Sequence, residues 1–163
     1  MLDEKEFKEK VRLATLVSFD LLIFDEKGRL LLGLRKNKPA KDFLFVPGAS
    51  IWKGETFKTA MKRISKSELG IELELGDVEC LGTYEHFYED NFGDGDFGTH
   101  YICHAFRYHL KENEKIDSGG LMDQHEGIFW LSPEEIKEHG KVHQNVKNYF
   151  LKKASNRLES WCR

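Results

Sequence analysis

Apolar and polar positions along the chain fall into short runs separated by turn residues, and the period of each run predicts its element. TLVSFDLLIF (Thr15 to Phe24) and RLLLGLR (Arg29 to Arg35) flank the turn DEKG and predict the two strands of a hairpin. FLFVP predicts a short strand ending at Pro47, which has no N–H to give to a sheet. From Glu55 to Leu69, the spacing of Phe57, Met61, Ile64 and Glu68 predicts a helix with these four on its inward stripe, stopped by Gly70. VECLGTYEHFY and FGTHYICHAFRYHL, joined by the Gly- and Asp-rich EDNFGDGD, predict a long hairpin. GIFWL predicts a further strand, with Ser132 as N-cap and Pro133 at the first position of a short helix after it. VHQNVKNYFLKKA predicts a last amphipathic helix. Because strands here mostly follow strands, the expected fold class is α/β with a mixed sheet carrying helices on its faces. A doubly wound dinucleotide fold is not expected, since neither GxGxxG nor GxxxxGK[ST] occurs.

A length of 163 residues predicts a single domain spanning 1–163. Hydrophobic residues make up 40% of the chain, twelve of them Phe, which is enough to close a core and argues against disorder. The net charge of -3 comes from intermingled signs, so no broad basic face is available for nucleic acid. Cys80, Cys103 and Cys162 are odd in number and widely spaced, which suggests neither a disulfide framework nor a thiolate zinc site and fits a reducing cytoplasm. The mixed-charge start MLDEKEFKEKVR is unlike a signal peptide, and no run of about 18 apolar residues occurs, so no membrane association is expected.

Two carboxylates stand out from this pattern. Glu68 shares the inward stripe of its helix, so it is either a ligand for a cation or part of a frayed, solvated last turn. Asp20 interrupts a strand expected to be buried on both faces, where it needs a partner. A bulge or a bond to neighbouring backbone would serve as well as a ligand.

The stretch GASIWKGETFKTAMKRISKSELGI resembles a degenerate Nudix box, GX5EX7REUXEEXGU with U aliphatic. Ala49 falls on its first Gly, Glu55 on the isolated Glu, Arg63 on the Arg, Glu68 on the last Glu and Gly70-Ile71 on the closing pair, while Ile64 and Ser67 replace two acids. The words TLVSFD, LLLGLRKNKPA, FVPG, EHFYEDNF, THY, DQHEG and VHQN resemble, in the same order, segments of the GDP-mannose mannosyl hydrolase branch, and the similarity runs from Leu16 to Phe150.

That resemblance implies a Nudix-like α/β/α sandwich and one Mg2+, or Mn2+ in its place, held by the Gly48 carbonyl and the Glu68 and Gln124 side chains. It implies His125 as general base, although a His in DQHEG taken by itself is more often a solvated loop residue than a catalyst. It further implies Arg35 as a contact to a diphosphate, Asp20 and Tyr101 as residues of the sugar and phosphate region, and Met1, Leu2, Phe7 and His86 as contacts to the nucleotide sugar, in a homodimer. Ser50 stands where the branch carries an arginine that neutralises the departing diphosphate, with Lys36 and Lys53 as candidate substitutes. The expected reaction is hydrolysis of a GDP-sugar, GDP-mannose first, to GDP and free sugar, by water attacking the anomeric carbon with inversion. A pyrophosphohydrolase using Glu55 and Glu68, and a nucleotide-sugar binding protein without turnover, stay open as alternatives. Two other sites are set aside: His100 and His104 of HYICH lie about 13 Å apart on a strand, too far for one zinc, and a calcium loop starting at Asp90 would place Phe92 and Tyr101 at ligand positions.

Overall fold

The computed structural model describes residues 3–93, 95–117, 119–151 and 157–158. Met1, Leu2, Cys162 and the end of the last expected helix lie outside the described residues.

The order of elements is α1 (Glu4–Leu13), β1 (Leu16–Phe24), β2 (Leu30–Arg35), β3 (Leu44–Phe45), β4 (Gly48–Ser50), α2 (Phe57–Leu69), β5 (Glu79–Tyr88), β6 (Thr99–His109), α3 (Gly119–Gln124), β7 (His125–Leu131), α4 (Pro133–Glu138), α5 (Gln144–Asn148) and β8 (Arg157–Leu158). The sheet is mixed. β1 runs parallel to β6 along its whole length, from Leu16 opposite Tyr101 to Phe24 opposite His109. All other pairings among the named strands are antiparallel.

The other edge of β1 is shared. Its last residue pairs with β2 at Phe24–Leu30, whereas its first half pairs with β4 from Ser18–Ser50 to Asp20–Gly48. β2 diverges from β1 and pairs instead with β7 and β3. The sheet therefore forks at the level of Asp20, and a cleft opens in the fork.

Strand alternation divides the core into two layers. Leu22, Phe24, Leu30 and Leu32 face one way and join Ile136, Val142 and Val146 from α4, α5 and the segment before α5. Phe19, Leu21, Ile23 and Leu31 face the other way and join Ala60, Met61, Ile64 and Leu69 of α2, together with Leu121 of α3. Helices thus cover both faces of one mixed sheet, as the pattern predicts.

Several expectations need correction. α2 begins at Phe57, because Thr56 is its N-cap and closes a reciprocal box with Thr59. Phe57 is 45% exposed and outside the inward stripe, since it opens the first turn and meets Phe19 only edge-on. The last helix is short: it ends at Asn148, and Tyr149 leaves it to point its hydroxyl into the core. α1 goes unpredicted because only Phe7 and Val11 mark its inner face, although Asp3 and Glu6 form a capping box that could have signalled it. His125 lies on β7, opposite Arg35, and not in a loop. The 90–97 connection is a hairpin loop, with Asn91 Nδ2 donating to the Gly95 and Phe97 carbonyls. His100 and His104 pack separately, one stacked on Phe87 and the other against Phe19 and Phe57.

Candidate functional site

The cleft in the fork has a volume of about 370 Å³. Asp20, Arg35, Gly48, His86, Tyr101, Gln124 and Phe7 all line it, so seven of the expected site residues converge from β1, β2, β4, β5, β6, α3 and α1. Glu68 and His125 are buried just behind this lining, at 5% and 1% exposure.

Glu68 reaches the cleft wall because α2 ends beneath β4. Its carboxylate is turned to the Gly48 N–H, which favours the charged form, and its Oε2 is buried without a protein partner. The Pro47 carbonyl is taken by the Leu21 N–H, so alternation along the strand turns the Gly48 carbonyl to the side of Glu68. A side chain at position 48 would collide with the Phe19 carbonyl, 2.3 Å from an added Cβ. Burial pushes the Glu68 carboxyl up to about 7; the Arg35 charge opposes this, and Asp123 reinforces it. A buried carboxylate with one unpartnered oxygen, and a backbone carbonyl and the Gln124 amide on the cleft lining, are oxygen donors of the kind a hard divalent cation takes. The residues present therefore fit magnesium.

Glu55 is differently placed. Both its oxygens are engaged by Arg63, Nε to Oε1 at 2.7 Å and Nη2 to Oε2 at 2.8 Å, and Oε2 also accepts from the Trp52 N–H at 2.9 Å. These bonds hold its pKa below the usual carboxylate value. Arg63 is fixed in turn by the Ser50 carbonyl and lies over the Trp52 ring, 3.9 Å from its centroid. Ile64, at an acid position of the box, is fully buried in the core.

His125 Nδ1 lies 3.0 Å from the Leu121 carbonyl, which can only accept, so Nδ1 carries the proton and Nε2 keeps a lone pair. That Nε2 is buried and has no protein partner. Burial lowers the imidazole pKa to about 4, assisted by the Arg35 and Lys36 charges, so the ring stays neutral at physiological pH. Gly33 makes room for it: an added Cβ would stand 2.5 Å from the imidazole carbons.

Arg35 is anchored through Nε to the Pro39 carbonyl at 3.0 Å, within the loop that supplies Asn37, Lys38, Pro39 and Ala40 to the cleft. Lys36 is turned away to the Met122 carbonyl, 2.7 Å from Nζ, and Lys53 is absent from the lining, whereas Lys38 stands along it. Ser50 hydrogen-bonds Tyr101, whose phenol pKa is raised chiefly by burial. Phe7 comes in from α1 and meets Phe92 edge-on at 5.4 Å. Asp20 is partnered by Tyr149, whose hydroxyl donates to Oδ2 at 2.5 Å, and not by a bulge or local backbone. Tyr149, Lys38, Tyr88 and Phe92 escape the sequence reading, because contacts such as Asp20–Tyr149 span most of the chain.

The NUDIX domain family matches residues 14–152. The low-salt glycan biosynthesis protein Agl8 of Haloferax volcanii is 38% identical over 110 residues, 68% of this chain and 69% of that protein. Among solved structures, the MutT protein of Methanosarcina mazei Go1 superposes with a TM-score of 0.65 at 20% identity, covering 83% of this chain and 90% of that one. The NUDIX domain of Shewanella oneidensis NrtR, complexed with ADP ribose, gives 0.61 at 14% identity over 90% and 94%. These two likenesses are of fold.

Proposed function

This chain belongs to the Nudix family, and from that premise we propose that it hydrolyses a GDP-sugar, GDP-mannose first, to GDP and free sugar by water attack at the anomeric carbon. The observation that carries this reading is the scarcity of free carboxylate in the box. Ile64 is core, Ser67 is a hydroxyl bonded to the Ile64 carbonyl, and Glu55 is consumed by Arg63 and Trp52. Only Glu68 keeps an unpartnered oxygen. That suits one cation and not the several ions that a displacement at phosphorus uses to activate its nucleophile.

Two relatives support a sugar-linked diphosphate as substrate. Agl8 is named for glycan biosynthesis, and the NrtR domain accommodates ADP ribose within this same fold.

Glu68, the Gly48 carbonyl and Gln124 would hold Mg2+, with Mn2+ a possible substitute, and a divalent ion there neutralises charge on the leaving diphosphate. His125 Nε2 takes a proton from the attacking water as its oxygen bonds to the anomeric carbon. The electrons of the C1–O bond pass to the diphosphate, and GDP leaves. Inverting hydrolysis ordinarily needs an acid to protonate the leaving group as well as a base. A diphosphate is stable as an anion, so Arg35 and Lys38 serve in that place by charge alone. Phe7 covers the cleft on the side of α1. A homodimer, with Met1 and Leu2 adding nucleotide contacts, is part of the same proposal, as is a cytoplasmic setting; among the described residues no helix is long and apolar enough to cross a membrane.

The test is hydrolysis of GDP-mannose with magnesium in ¹⁸O-water. Label in free mannose beside unlabelled GDP is the expected result. GMP and mannose phosphate would instead return the chain to the pyrophosphohydrolases, and tight binding without turnover would leave a nucleotide-sugar binding protein. Glu68→Gln should weaken magnesium activation far more than it changes the fold, as read by magnesium titration of the rate.

A further inference from the structure

We propose that Tyr149 is a positioning residue that fixes the tautomer of His86 and the orientation of Asp20, making the cleft floor a pair of acceptors that selects a hydroxyl-bearing sugar.

The Tyr149 hydroxyl lies beneath the cleft at the meeting point of three buried side chains. It is 2.5 Å from Asp20 Oδ2, 3.2 Å from His86 Nε2 and 3.7 Å from Cys103 Sγ. A phenol has one proton to give. The carboxylate is the stronger acceptor and the closer, so the proton goes to Asp20. Having given it away, the phenol oxygen can only accept from His86, which places the ring proton on Nε2 and leaves the lone pair on Nδ1.

The surroundings hold this arrangement in one sense. Burial lowers the His86 pKa, against the opposing Asp20 charge, which keeps the imidazole neutral. Burial also pushes the Cys103 thiol well up, so the sulfur stays protonated; it meets the Tyr149 hydroxyl and lies within 4.8 Å of the Asp20 carboxylate. Tyr84 packs edge-on against Tyr149 at 4.7 Å and Phe45 edge-on against His86 at 6.2 Å, limiting rotation of both rings.

The consequence lies on the other side. Asp20 and His86 both line the cleft; with the His86 Nε2 proton given to the phenol and Asp20 Oδ2 accepting from it, the acceptor capacity each keeps is the remaining carboxylate oxygen and Nδ1. Two acceptors side by side fit the hydroxyls of a hexose, which donate. They repel a carboxylate or phosphate at the same position. This assignment rests on the nucleotide-sugar reading for its substrate, and on geometry alone for the tautomer.

Asp20, His86 and Cys103 also present ligand atoms within 4.8 Å of one another, a spacing a metal ion could use. The Tyr149 hydroxyl occupies their centre and satisfies them, so the protonated network is the arrangement the bonds support.

The test combines two readouts. Long-range ¹H–¹⁵N spectra of the full chain, with the His86 signals assigned by their loss in His86→Gln, should show a proton on Nε2 in the unliganded protein. Tyr149→Phe should populate the other tautomer, raise KM for GDP-mannose about tenfold, change kcat much less and leave GDP affinity unaltered. A wild-type His86 protonated on Nδ1 overturns the proposal without any variant having to fold. So does a Tyr149→Phe protein with unchanged KM, or tight zinc binding that masks the Cys103 thiol. A wild-type chain that binds GDP-mannose no better than GDP would sink the substrate assignment, while the spectra would still decide the role of Tyr149.

Discussion

His125 and Glu68 show how much depends on the residues around a reactive group. Each is buried with one atom unpartnered, His125 Nε2 and Glu68 Oε2; His125 donates its Nδ1–H to the Leu121 carbonyl, and the Gly48 N–H favours the charged form of Glu68. Buried polar atoms are ordinarily satisfied, so two unpartnered ones beside one cleft point to a ligand. Replacing His125 by Gln should lower kcat by roughly 10²–10⁴-fold, with circular dichroism unchanged. An unaltered rate would remove His125 from the chemistry. Gly33 is the less visible member of this group. Gly33→Ala sets a methyl 2.5 Å from the imidazole and should cost about 1–3 kcal/mol of stability, together with activity. Denaturant unfolding and turnover of the same preparation check both.

Among the elements, α2 carries the box and is held at both ends by local chemistry. Thr56 caps its start and Gly70, in the left-handed conformation, its end. Thr56→Ala should destabilise the protein by about 0.5–2 kcal/mol, measured by urea unfolding. The loop before the helix is pinned by Glu55, whose pKa is lowered by Arg63. A lowered carboxyl pKa contributes stability that is present above the unfolded-state value and lost as pH falls through the folded-state value. Urea unfolding of Glu55→Gln and the parent chain should therefore differ most near neutrality and converge as the solution is acidified below the ordinary range of a glutamate. A difference that persists at low pH would assign Glu55 a role other than its charge.

At the scale of the whole molecule, the shared edge of β1 makes the site. β4 takes its first half and β2 its end, and the fork between them receives side chains from eight elements. The layers on the two faces of the sheet are joined through β1, so they should unfold together. Ile64→Ala on one face and Ile136→Ala on the other should each cost about 2–5 kcal/mol and add to within about 0.5 kcal/mol in the double variant; a biphasic transition would contradict one cooperative unit. The sequence alone determined the longer strands, the box helix with its Gly70 stop and the Nudix family, because each of these is written in neighbouring residues whose period and turn chemistry act locally; β4, which opens the fork, and the Thr56 cap were not read from it. It also marked Asp20 and Glu68 as acids out of place. Their partners were decided by tertiary structure. Tyr149 reaches Asp20 across 129 positions of chain, Gly33 makes room for the His125 ring across the β2–β7 ladder, and Arg63 withdraws Glu55 from any cation. A one-dimensional pattern records which faces are apolar; which acid stays free depends on distances that exist only after the sheet has forked.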